Sequence, residues 1–362
     1  MKIALIRKKA LIYNIKKIQK LTNNSRIIAI VKSNAYGHGS KFVTRTLKDF
    51  VDYFGVSNIE EAHKIVDDGI KNSIISLMGF INYEELKLAS QLRLEVVVHN
   101  HEQINILEKE KIKFPIAVWM KINTGMNRLG FLPDQAVKIY NRLKKCKNVR
   151  KPVNTISHFS SANIQEPYLF DFTQLQLDRF KKFIIDKNGK NSIASSSGIL
   201  FWPSSHLRWV RAGIIMYGIS PKFGRNGREF GLIPAMKLKS KLISVRQFKP
   251  GQTLGYGQNW INNRKKTYIG IVSIGYGDGY HSCDSKNSWV LINGRRVPVI
   301  GSILMDMIFV DLGEHLCDKV GDEVIIWGEK KFPIEEAFKG HDVSCLYRSV
   351  SQLTSRVKRK YI

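Results

Sequence analysis

Cysteine is scarce in this sequence, and its spacing points to no metal or disulfide chemistry. Four cysteines occur among 362 residues, namely Cys146, Cys283, Cys317 and Cys345, and no two of them form a C-x-x-C pair. This spacing argues against a disulfide framework and a cysteine-based zinc site, so we predict no metal site. So few cysteines are typical of a protein from a reducing compartment.

Long hydrophobic runs are absent as well. Residues 1–7 are largely apolar, but the stretch is short and interrupted by charge, so it does not have the form of a signal sequence. No later run reaches the length that spans a bilayer. Together with the cysteine content, this predicts a cytoplasmic protein with no membrane partner.

Acidic residues are few relative to basic ones. Lysine and arginine number 58 against 30 aspartates and glutamates, which leaves a formal charge of +28. A nucleic-acid-binding surface would concentrate such charge beside aromatic residues or in a recognisable motif. Here the basic residues are scattered, and the runs Lys109–Lys113 and Arg356–Lys360 are short enough to be solvated faces of a helix or a tail. We therefore expect a compositional bias rather than a nucleic-acid partner.

The sequence does contain a repeating pattern of short apolar strands and amphipathic helices. With 362 residues, 43% of them apolar, the chain suits two domains or one barrel with an appended part. Helices are predicted at Ile59–Val66, after a Ser57-x-x-Glu60 capping signal, and at Gln135–Leu143. The strands predicted before about residue 212 are Ile27–Val31, Tyr53–Val56, Ser73–Leu77, Glu95–Val98, Ile116–Ile122, Val153–Ile156, Ser192–Ala194 and Arg208–Arg211.

This alternation predicts the fold class of the first part of the chain. Eight strands and intervening helices over roughly 200 residues indicate a parallel (β/α)₈ barrel of the TIM type. An open doubly wound sheet stays possible, because the pattern alone does not show closure.

After about residue 235 the pattern becomes that of a mainly β domain. Asn293-Gly294 is typical of a two-residue type I′ hairpin turn. We expect a strand within residues 1–10 that packs on the β domain, a barrel over residues 11–235 and the β domain over residues 236–362. The strands predicted in this domain are Lys237–Val245, Thr267–Ser273, Trp289–Ile292, Val297–Ile300, Met307–Val310 and Glu323–Trp327.

Three charged or titratable side chains follow predicted barrel strands. Lys32, in Val31-Lys32-Ser33-Asn34-Ala35-Tyr36-Gly37-His38-Gly39, could lose its proton when partly desolvated and act as a nucleophile, or be an ordinary surface lysine. Arg128 suits planar recognition of a carboxylate, or a surface salt bridge. His158 could be catalytic or a structural histidine.

Two loops and one turn complete the candidate set. The segments 192–199 and 209–218 offer small residues and backbone N–H groups, which suit a barrel phosphate site, or a plain helix cap and turn. In Ile274-Gly275-Tyr276-Gly277-Asp278-Gly279-Tyr280, the first tyrosine could be a functional group or a turn residue.

Together these segments resemble the alanine racemase family, and the likeness continues through most of the chain. The resemblance implies an enzyme that interconverts L- and D-alanine, with pyridoxal 5′-phosphate held on Lys32 as an aldimine. Arg211 would contact the pyridine nitrogen, and because arginine keeps its proton, that nitrogen would stay unprotonated. The cofactor contacts that the resemblance implies are Lys32, Tyr36, His158, Ser196, Arg211, Gly213, Ile214 and Tyr347.

The resemblance also assigns substrate contacts and one modified residue. Arg128 and Met305 would bind the substrate carboxylate, and Lys121 would be carbamylated to hold Arg128. The family commonly has aspartate, aspartate and arginine at three positions where this chain has Asn123, Asn163 and Ser302.

Racemisation requires two acid/base groups on opposite faces of the substrate. The resemblance gives these roles to Lys32 and Tyr276, the tyrosine reaching the barrel mouth of a partner subunit, so a homodimer is expected. The D-alanine would serve peptidoglycan synthesis, or the enzyme would act in alanine breakdown. Basic amino-acid decarboxylases lack the Gly-Tyr-Gly-Asp-Gly-Tyr segment in this role, and single-barrel pyridoxal-phosphate carriers lack a β domain.

Overall fold

The structure is a computed structural model that describes residues 2–23, 25–164, 166–281 and 287–362. Cys283 therefore lies outside the described residues. The described chain forms two compact units. We call Ile15–Ala35 with Ser40–Met216 the barrel unit, and Met1–Asn14, Tyr36–Gly39 and Tyr217–Ile362 the β unit.

The described residues contain strands, α-helices and short 3₁₀ helices, in the following order along the chain. The strands are β1 (Ile3–Ile6), β2 (Arg26–Ile30), β3 (Tyr53–Val56), β4 (Ser73–Ser76), β5 (Glu95–Val98), β6 (Ile116–Lys121), β7 (Val149–Ile156), β8 (Asn191–Ser192), β9 (Trp209–Ala212), β10 (Met236–Phe248), β11 (Thr253–Leu254), β12 (Trp260–Ile261), β13 (Thr267–Val272), β14 (Trp289–Ile292), β15 (Arg295–Ile300), β16 (Ile308–Gly313), β17 (Glu323–Trp327) and β18 (Lys358–Tyr361). The helices are α1 (Lys8–Leu21), α2 (Lys32–Tyr36), α3 (Ser40–Leu47), α4 (Ile59–Asp67), α5 (Tyr83–Gln91), α6 (His101–Lys109), α7 (Pro133–Lys145), α8 (Pro167–Ile184), α9 (Ser196–Phe201), α10 (Ile334–Ala337) and α11 (Val343–Ser351). The 3₁₀ helices are Pro203–Ser205, Ile214–Tyr217, Gly227–Phe230, Tyr256–Gln258 and Tyr276–Asp278.

The sheet of the barrel unit is parallel throughout and closes on itself. Its strand order is β8-β7-β6-β5-β4-β3-β2-β9. The amide of Arg211 in β9 donates to the carbonyl of Ala194, just beyond β8, at 2.9 Å, so the two end strands meet. The predicted (β/α)₈ barrel is thereby confirmed, and the open doubly wound sheet is excluded.

The barrel strands are buried because their side chains are apolar on both faces. All four residues of β3 and of β5 are buried, as expected for a strand with a packed barrel interior on one side and helices on the other. Strand β7 begins at Val149, four residues before its predicted start, because Ile116 and Val149 already pair in register at the amino ends of β6 and β7.

A buried ionic cluster closes the barrel at the amino ends of its strands. Glu95, 1% exposed, accepts hydrogen bonds from the Tyr53 hydroxyl at 2.9 Å, Trp119 Nε1 at 2.5 Å and Lys190 Nζ at 3.0 Å. A buried carboxylate is tolerated only when paired in this way. The opposite, carboxyl ends of the strands are therefore the ends that remain available for a site.

Three successive barrel helices begin with the same asparagine cap. The side-chain oxygens of Asn58, Asn82 and Asn100 each accept from the backbone amide three residues on. The predicted Ser57-x-x-Glu60 cap was wrong by one residue. Helix α4 begins at Ile59, so Asn58 is the capping residue, and its partner is the amide of Glu61 at 2.9 Å.

The β unit contains an eight-stranded sheet of order β13-β16-β15-β14-β17-β10-β1-β18. The long strand β10 pairs with β1 and β17 through its first half and with β13 through its second half, so six strands close into a ring. Strand β1 lies between β10 and β18. Near β11 to β13 the ring packs around a small apolar core of Leu254, Ile269 and Phe309.

Two predicted features of the β unit had different outcomes. Asn293 and Gly294 have φ angles of 48° and 79°, and Ile292 pairs with Arg295, so the type I′ hairpin is confirmed. The basic run Arg356–Lys360 was expected to be a solvated face of a helix or a tail; Arg356, Lys358 and Lys360 are exposed as expected, but the run is not helical. Its end forms β18, because the backbone of residues 358–361 pairs in parallel with the N-terminal strand β1.

No helix in the described part of the chain is both long enough and apolar enough to cross a membrane.

Candidate active site at the carboxyl ends of the barrel strands

Lys32 begins a short left-handed helical turn. Ser33, Asn34, Ala35 and Tyr36 have φ angles of 50° to 53°, a conformation that costs about 1–2 kcal/mol for each non-glycine residue. Three contacts hold it: the Ala35 amide donates to the Val31 carbonyl at 2.8 Å, the Ser33 amide to Glu61 Oε1 at 2.6 Å, and the Ser40 amide to Asn34 Oδ1 at 2.8 Å. Strain of this kind is retained mainly at functional sites.

The environment of Lys32 favours its neutral amine. Burial and the neighbouring charge of Arg128 lower the pKa of Lys32, while Glu61 opposes them and raises it. Glu61 also accepts from the Ser57 amide at 2.8 Å, so its carboxylate joins the ends of β2 and β3. The prediction missed Glu61, which the repeated Asn-x-x-Glu pattern of the helix starts could have indicated.

Lys121 and Arg128 belong to the same group of cations. Burial, together with the neighbouring charges of Arg211, Arg128 and Lys32, lowers the pKa of Lys121 to about 7. Arg128 is exposed, and no carboxylate of the described chain forms an ion pair with it. The alternative of a surface salt bridge at Arg128 therefore has no partner within the described residues.

Asn123 organises the loop that carries Arg128. Its side-chain oxygen accepts from the amides of Gly125 at 3.1 Å and Asn127 at 3.0 Å, and its amide nitrogen donates to Asn127 Oδ1 at 3.1 Å. An aspartate could accept the same two amide bonds but could not donate the third. Asn123 thus holds the conformation of the loop through its hydrogen bonds, but it places no carboxylate beside the nearby cations.

Arg211 and His158 form a buried pair. The Arg211 Nη atoms donate to the carbonyls of Ser157 at 2.5 Å, Ser192 at 2.9 Å and Ile193 at 3.0 Å, and contact His158 Nδ1 at 3.1 Å. Because a guanidinium has no acceptor, Nδ1 must accept and the proton of the neutral ring lies on Nε2. Burial and Arg211 hold the pKa of His158 well below its usual value, so the ring stays neutral.

Arg211 remains charged despite its burial. Desolvation and Arg128 lower its pKa to about 9, which leaves it protonated near neutral pH. Within the described chain its Nε makes no hydrogen bond. This N–H is a donor held in place by the other bonds of the same group.

The loops after β8 and β9 meet at Ser196 and Gly213. The Gly213 amide donates to Ser196 Oγ at 3.1 Å. Ser196 is the first residue of α9, and Ile214 is the first residue of the following 3₁₀ helix. These turns bring together small side chains and the start of two helical segments, as phosphate sites in barrels require.

The β unit contains a cluster of aromatic rings that includes Tyr36 and Tyr347. The Tyr36 ring centroid lies 5.1 Å from that of Tyr217 and 5.9 Å from that of Tyr347, and His38 lies 4.4 Å from Tyr217. Burial raises the pKa of Tyr36 to about 12 and raises those of Tyr217 and Tyr347 as well. The three hydroxyls therefore keep their protons and are able to donate. The prediction missed Tyr217, although it lies in the quoted segment 209–218.

Tyr276 and Met305 are neighbours in the β unit. The amides of Tyr276 and Gly277 donate to the carbonyls of Leu304 at 3.0 Å and Met305 at 2.9 Å. Tyr276 is 48% exposed and Met305 is 53% exposed. A buried turn tyrosine, the alternative considered above, does not describe this side chain.

No group of three or more His, Cys, Asp or Glu side chains in the described residues is arranged to hold a metal ion.

Comparisons with known proteins agree on one family. The family model "Alanine racemase, N-terminal domain" matches residues 6–221, and "Alanine racemase, C-terminal domain" matches residues 235–361. The biosynthetic alanine racemase of Escherichia coli (strain K12) is 46% identical over 358 residues, which is 99% of this chain and 98% of the relative. The alanine racemase of Actinobacillus succinogenes is 48% identical over 97% of this chain and 96% of its own length.

Solved structures agree with this likeness. The crystal structure of the biosynthetic alanine racemase from Pseudomonas aeruginosa superposes with a TM-score of 0.92 at 35% identity, covering 100% of this chain and 99% of the other. The alanine racemase from Acinetobacter baumannii gives a TM-score of 0.88 at 31% identity, with coverage of 100% and 99%.

Proposed function

The chain belongs to the alanine racemase family and is an isomerase, and we propose that it interconverts L- and D-alanine with pyridoxal 5′-phosphate as its cofactor. Several relatives and the Pseudomonas structure carry the word "biosynthetic" in their names. This supports a role in supplying D-alanine for peptidoglycan over one in alanine breakdown.

The observation that carries the proposal is an excess of cations at the barrel mouth. The neighbouring positive charges lower the pKa values of Lys32, Lys121 and Arg211, with Arg128 acting on all three, and the acidic group of the described residues that opposes this at Lys32 is Glu61. Uncompensated charges of one sign in a partly buried site are costly unless an anion joins them. A cofactor with a phosphate group and a phenolate oxygen supplies that negative charge.

The hydrogen-bond donors and the lysine of this site also fit the cofactor. Lys32 would hold it covalently, and the free Nε–H of Arg211 would donate to its ring nitrogen, with His158 packed near the ring. When bound, the cofactor withdraws electrons from the substrate and so acidifies its α-proton. The groups that would bind its phosphate are Tyr36, Ser196, Gly213, Ile214 and Tyr347.

The proton transfers fall to two side chains. The lowered pKa of Lys32 favours the neutral amine, which is the form that takes the α-proton of D-alanine. We assign removal of the α-proton of L-alanine to the phenolate oxygen of Tyr276, which becomes a hydroxyl as it takes the proton and is supplied by the partner subunit of a homodimer. Arg128 and Met305 would bind the substrate carboxylate.

Lys121 is suited to carbamylation. A pKa of about 7 leaves an appreciable fraction of neutral amine near neutral pH, and only the neutral nitrogen attacks CO₂. The N–C bond forms as the nitrogen loses a proton, and the product carries one negative charge. That charge would face Arg128 and hold its guanidinium in place.

We also propose domain limits and a location. A strand within residues 1–10, a barrel over residues 11–235 and a β domain over residues 236–362 are supported by the family matches that end at 221 and begin at 235. The cytoplasmic location rests on the cysteine content and on the pattern of hydrophobic runs in the sequence, and it stays a prediction.

The proposed function is tested by following D-alanine formation from L-alanine in a coupled assay. We expect Lys32→Ala and Tyr276→Phe each to lose at least about 10²-fold in kcat, because each variant lacks one acid/base group. The proposal fails if both variants racemise at the wild-type rate. It also fails if arginine or lysine is consumed while alanine is not.

A further inference from the structure

We infer that Asp278, with Lys2 and Arg356, positions the Tyr276 turn and thereby the second base of the reaction. This inference rests on the proposed function and goes beyond it, because it names residues that would act on the tyrosine from a distance. Asp278 has no contact with substrate or cofactor in this proposal and is a positioning residue.

The Tyr276 side chain makes few contacts that would fix its position. It is 48% exposed, and its hydroxyl makes no hydrogen bond within the described residues. The backbone of the turn Gly275–Gly279 sets where this side chain leaves the main chain and which positions the phenol can reach. What fixes that backbone therefore limits where the hydroxyl can lie.

The turn is packed against backbone on both sides. A Cβ on Gly275 would lie 2.1 Å from the Leu304 carbonyl oxygen, and one on Gly279, which has a φ of +86°, would lie 2.1 Å from the Gln352 carbonyl oxygen. Only glycine permits these approaches. The Thr354 amide also donates to the Asp278 carbonyl at 3.1 Å.

The Asp278 carboxylate ties this turn to two cations. It is fully buried, accepts from the Gly275 amide at 3.0 Å, and contacts Lys2 Nζ at 2.8 Å and Arg356 Nε at 3.1 Å. Arg356 also pairs with Asp306, next to Met305. The buried carboxylate thus joins the Tyr276 turn to Lys2, next to the N-terminal strand, and through Arg356 and Asp306 to the segment that carries Met305. We call Lys2, Asp278, Arg356 and Asp306 the Asp278 cluster.

Loss of this cluster has a distinct chemical signature. With Tyr276 misplaced, Lys32 still removes the α-proton of D-alanine and returns a deuteron from D₂O to the same face. D-Alanine then acquires deuterium without inverting. A loss of folded or cofactor-loaded enzyme would instead lower deuterium uptake and racemisation in proportion.

The test compares holoenzyme variants in D₂O, measuring the ratio of deuterium uptake into D-alanine to racemisation. For Asp278→Asn we expect racemisation to fall by about 10²-fold, as for a small misplacement of a reacting group, and the ratio to rise by a similar factor. Asp318→Asn is the matched control, since Asp318 is an equally buried carboxylate of the β unit paired with an arginine, Arg295. Its ratio should stay within about twofold of wild type.

Two further variants and one spectrum keep the outcome clear. If Asp278→Asn does not fold, Arg356→Gln takes its place in the test, because it removes the more exposed partner of Asp278, and it should raise the ratio of deuterium uptake to racemisation. Arg356→Lys keeps the positive charge and should return this ratio largely to the wild-type value. In holoenzyme with ¹³C-labelled tyrosine rings, the Tyr276 resonance, assigned with Tyr276→Phe, should shift in Asp278→Asn and not in Asp318→Asn.

Wild-type ratios in both Asp278→Asn and Arg356→Gln, with a raised ratio in Tyr276→Phe, would overturn the role of the Asp278 cluster and leave the proposed function intact. An unchanged ratio in Tyr276→Phe would overturn the two-base mechanism and the cluster's role together.

Discussion

Among single residues, Lys121 shows how the barrel mouth changes ordinary side-chain chemistry. Its amine lies in a partly desolvated place beside three other cations, and its pKa falls to about 7. The same group of charges, together with burial, keeps His158 neutral. Asn123, which organises the loop of Arg128, brings no negative charge to this group, so a carbamate on Lys121 would supply negative charge near Arg128.

The carbamate can be observed directly. In ¹³C-labelled bicarbonate at pH 8, the holoenzyme should show a ¹³C carbamate signal that Lys121→Ala lacks. Since acid protonates the amine and favours loss of CO₂, the signal should fade below about pH 6, one unit under the Lys121 pKa. Lys151→Ala, another lysine with a lowered pKa, should keep the signal. A signal that persists in Lys121→Ala would disprove carbamylation at this residue.

At the scale of elements, the barrel relies on the starts of its helices and the turns after its strands. The left-handed turn after Lys32 is strained, and the contacts that hold it include one to Glu61 at the start of α4. The Asn58 cap at that helix start therefore serves the turn as well as the helix. Loop and helix cooperate to present the lysine.

Removing the cap should destabilise the protein by a small, predictable amount. Asn58→Ala should lower the free energy of unfolding by about 1 kcal/mol, because the Glu61 amide loses its partner. Ser57→Ala, at the residue wrongly predicted to cap, should change it by less than about 0.5 kcal/mol. Denaturant unfolding of both variants measures the difference, and equal effects would contradict the assignment of the cap.

At the scale of the whole molecule, the proposed mechanism divides each site between two subunits. Lys32 belongs to the barrel unit of one chain, and Tyr276 is assigned to the β unit of its partner. Neither the Lys32→Ala nor the Tyr276→Phe homodimer would then contain a complete site. A mixed dimer would contain one.

Mixing the two inactive variants should therefore restore activity. After random exchange of subunits, half of the dimers would be mixed and each would hold one intact site of two, so about a quarter of wild-type activity should return. The exchange is verified by mass spectrometry of differently tagged chains. Mixed dimers without activity would show that both bases come from one chain.

Much of this fold was decided locally. The sequence predicted the bounds of two apolar strands, Tyr53–Val56 and Glu95–Val98, and the position of the Asn293-Gly294 turn to within a residue. Burial on both faces of a strand requires apolar residues, and positive φ angles favour asparagine and glycine, so both features can be recognised in the sequence. The resemblance to the alanine racemase family likewise depends on short continuous segments of the sequence, such as the one that contains Lys32 and Tyr36.

Other features depend on partners distant in the chain. Closure of the barrel needed the hydrogen bond from Arg211 to Ala194, and the strand at Lys358–Tyr361 needed the edge of Ile3–Ile6. The lowered pKa of Lys121 and the cluster around Asp278 arise from charges brought together by folding. Composition and periodicity determine which segments are buried and regular, whereas long-range pairing and the electric field of neighbouring groups exist only once the tertiary structure has formed.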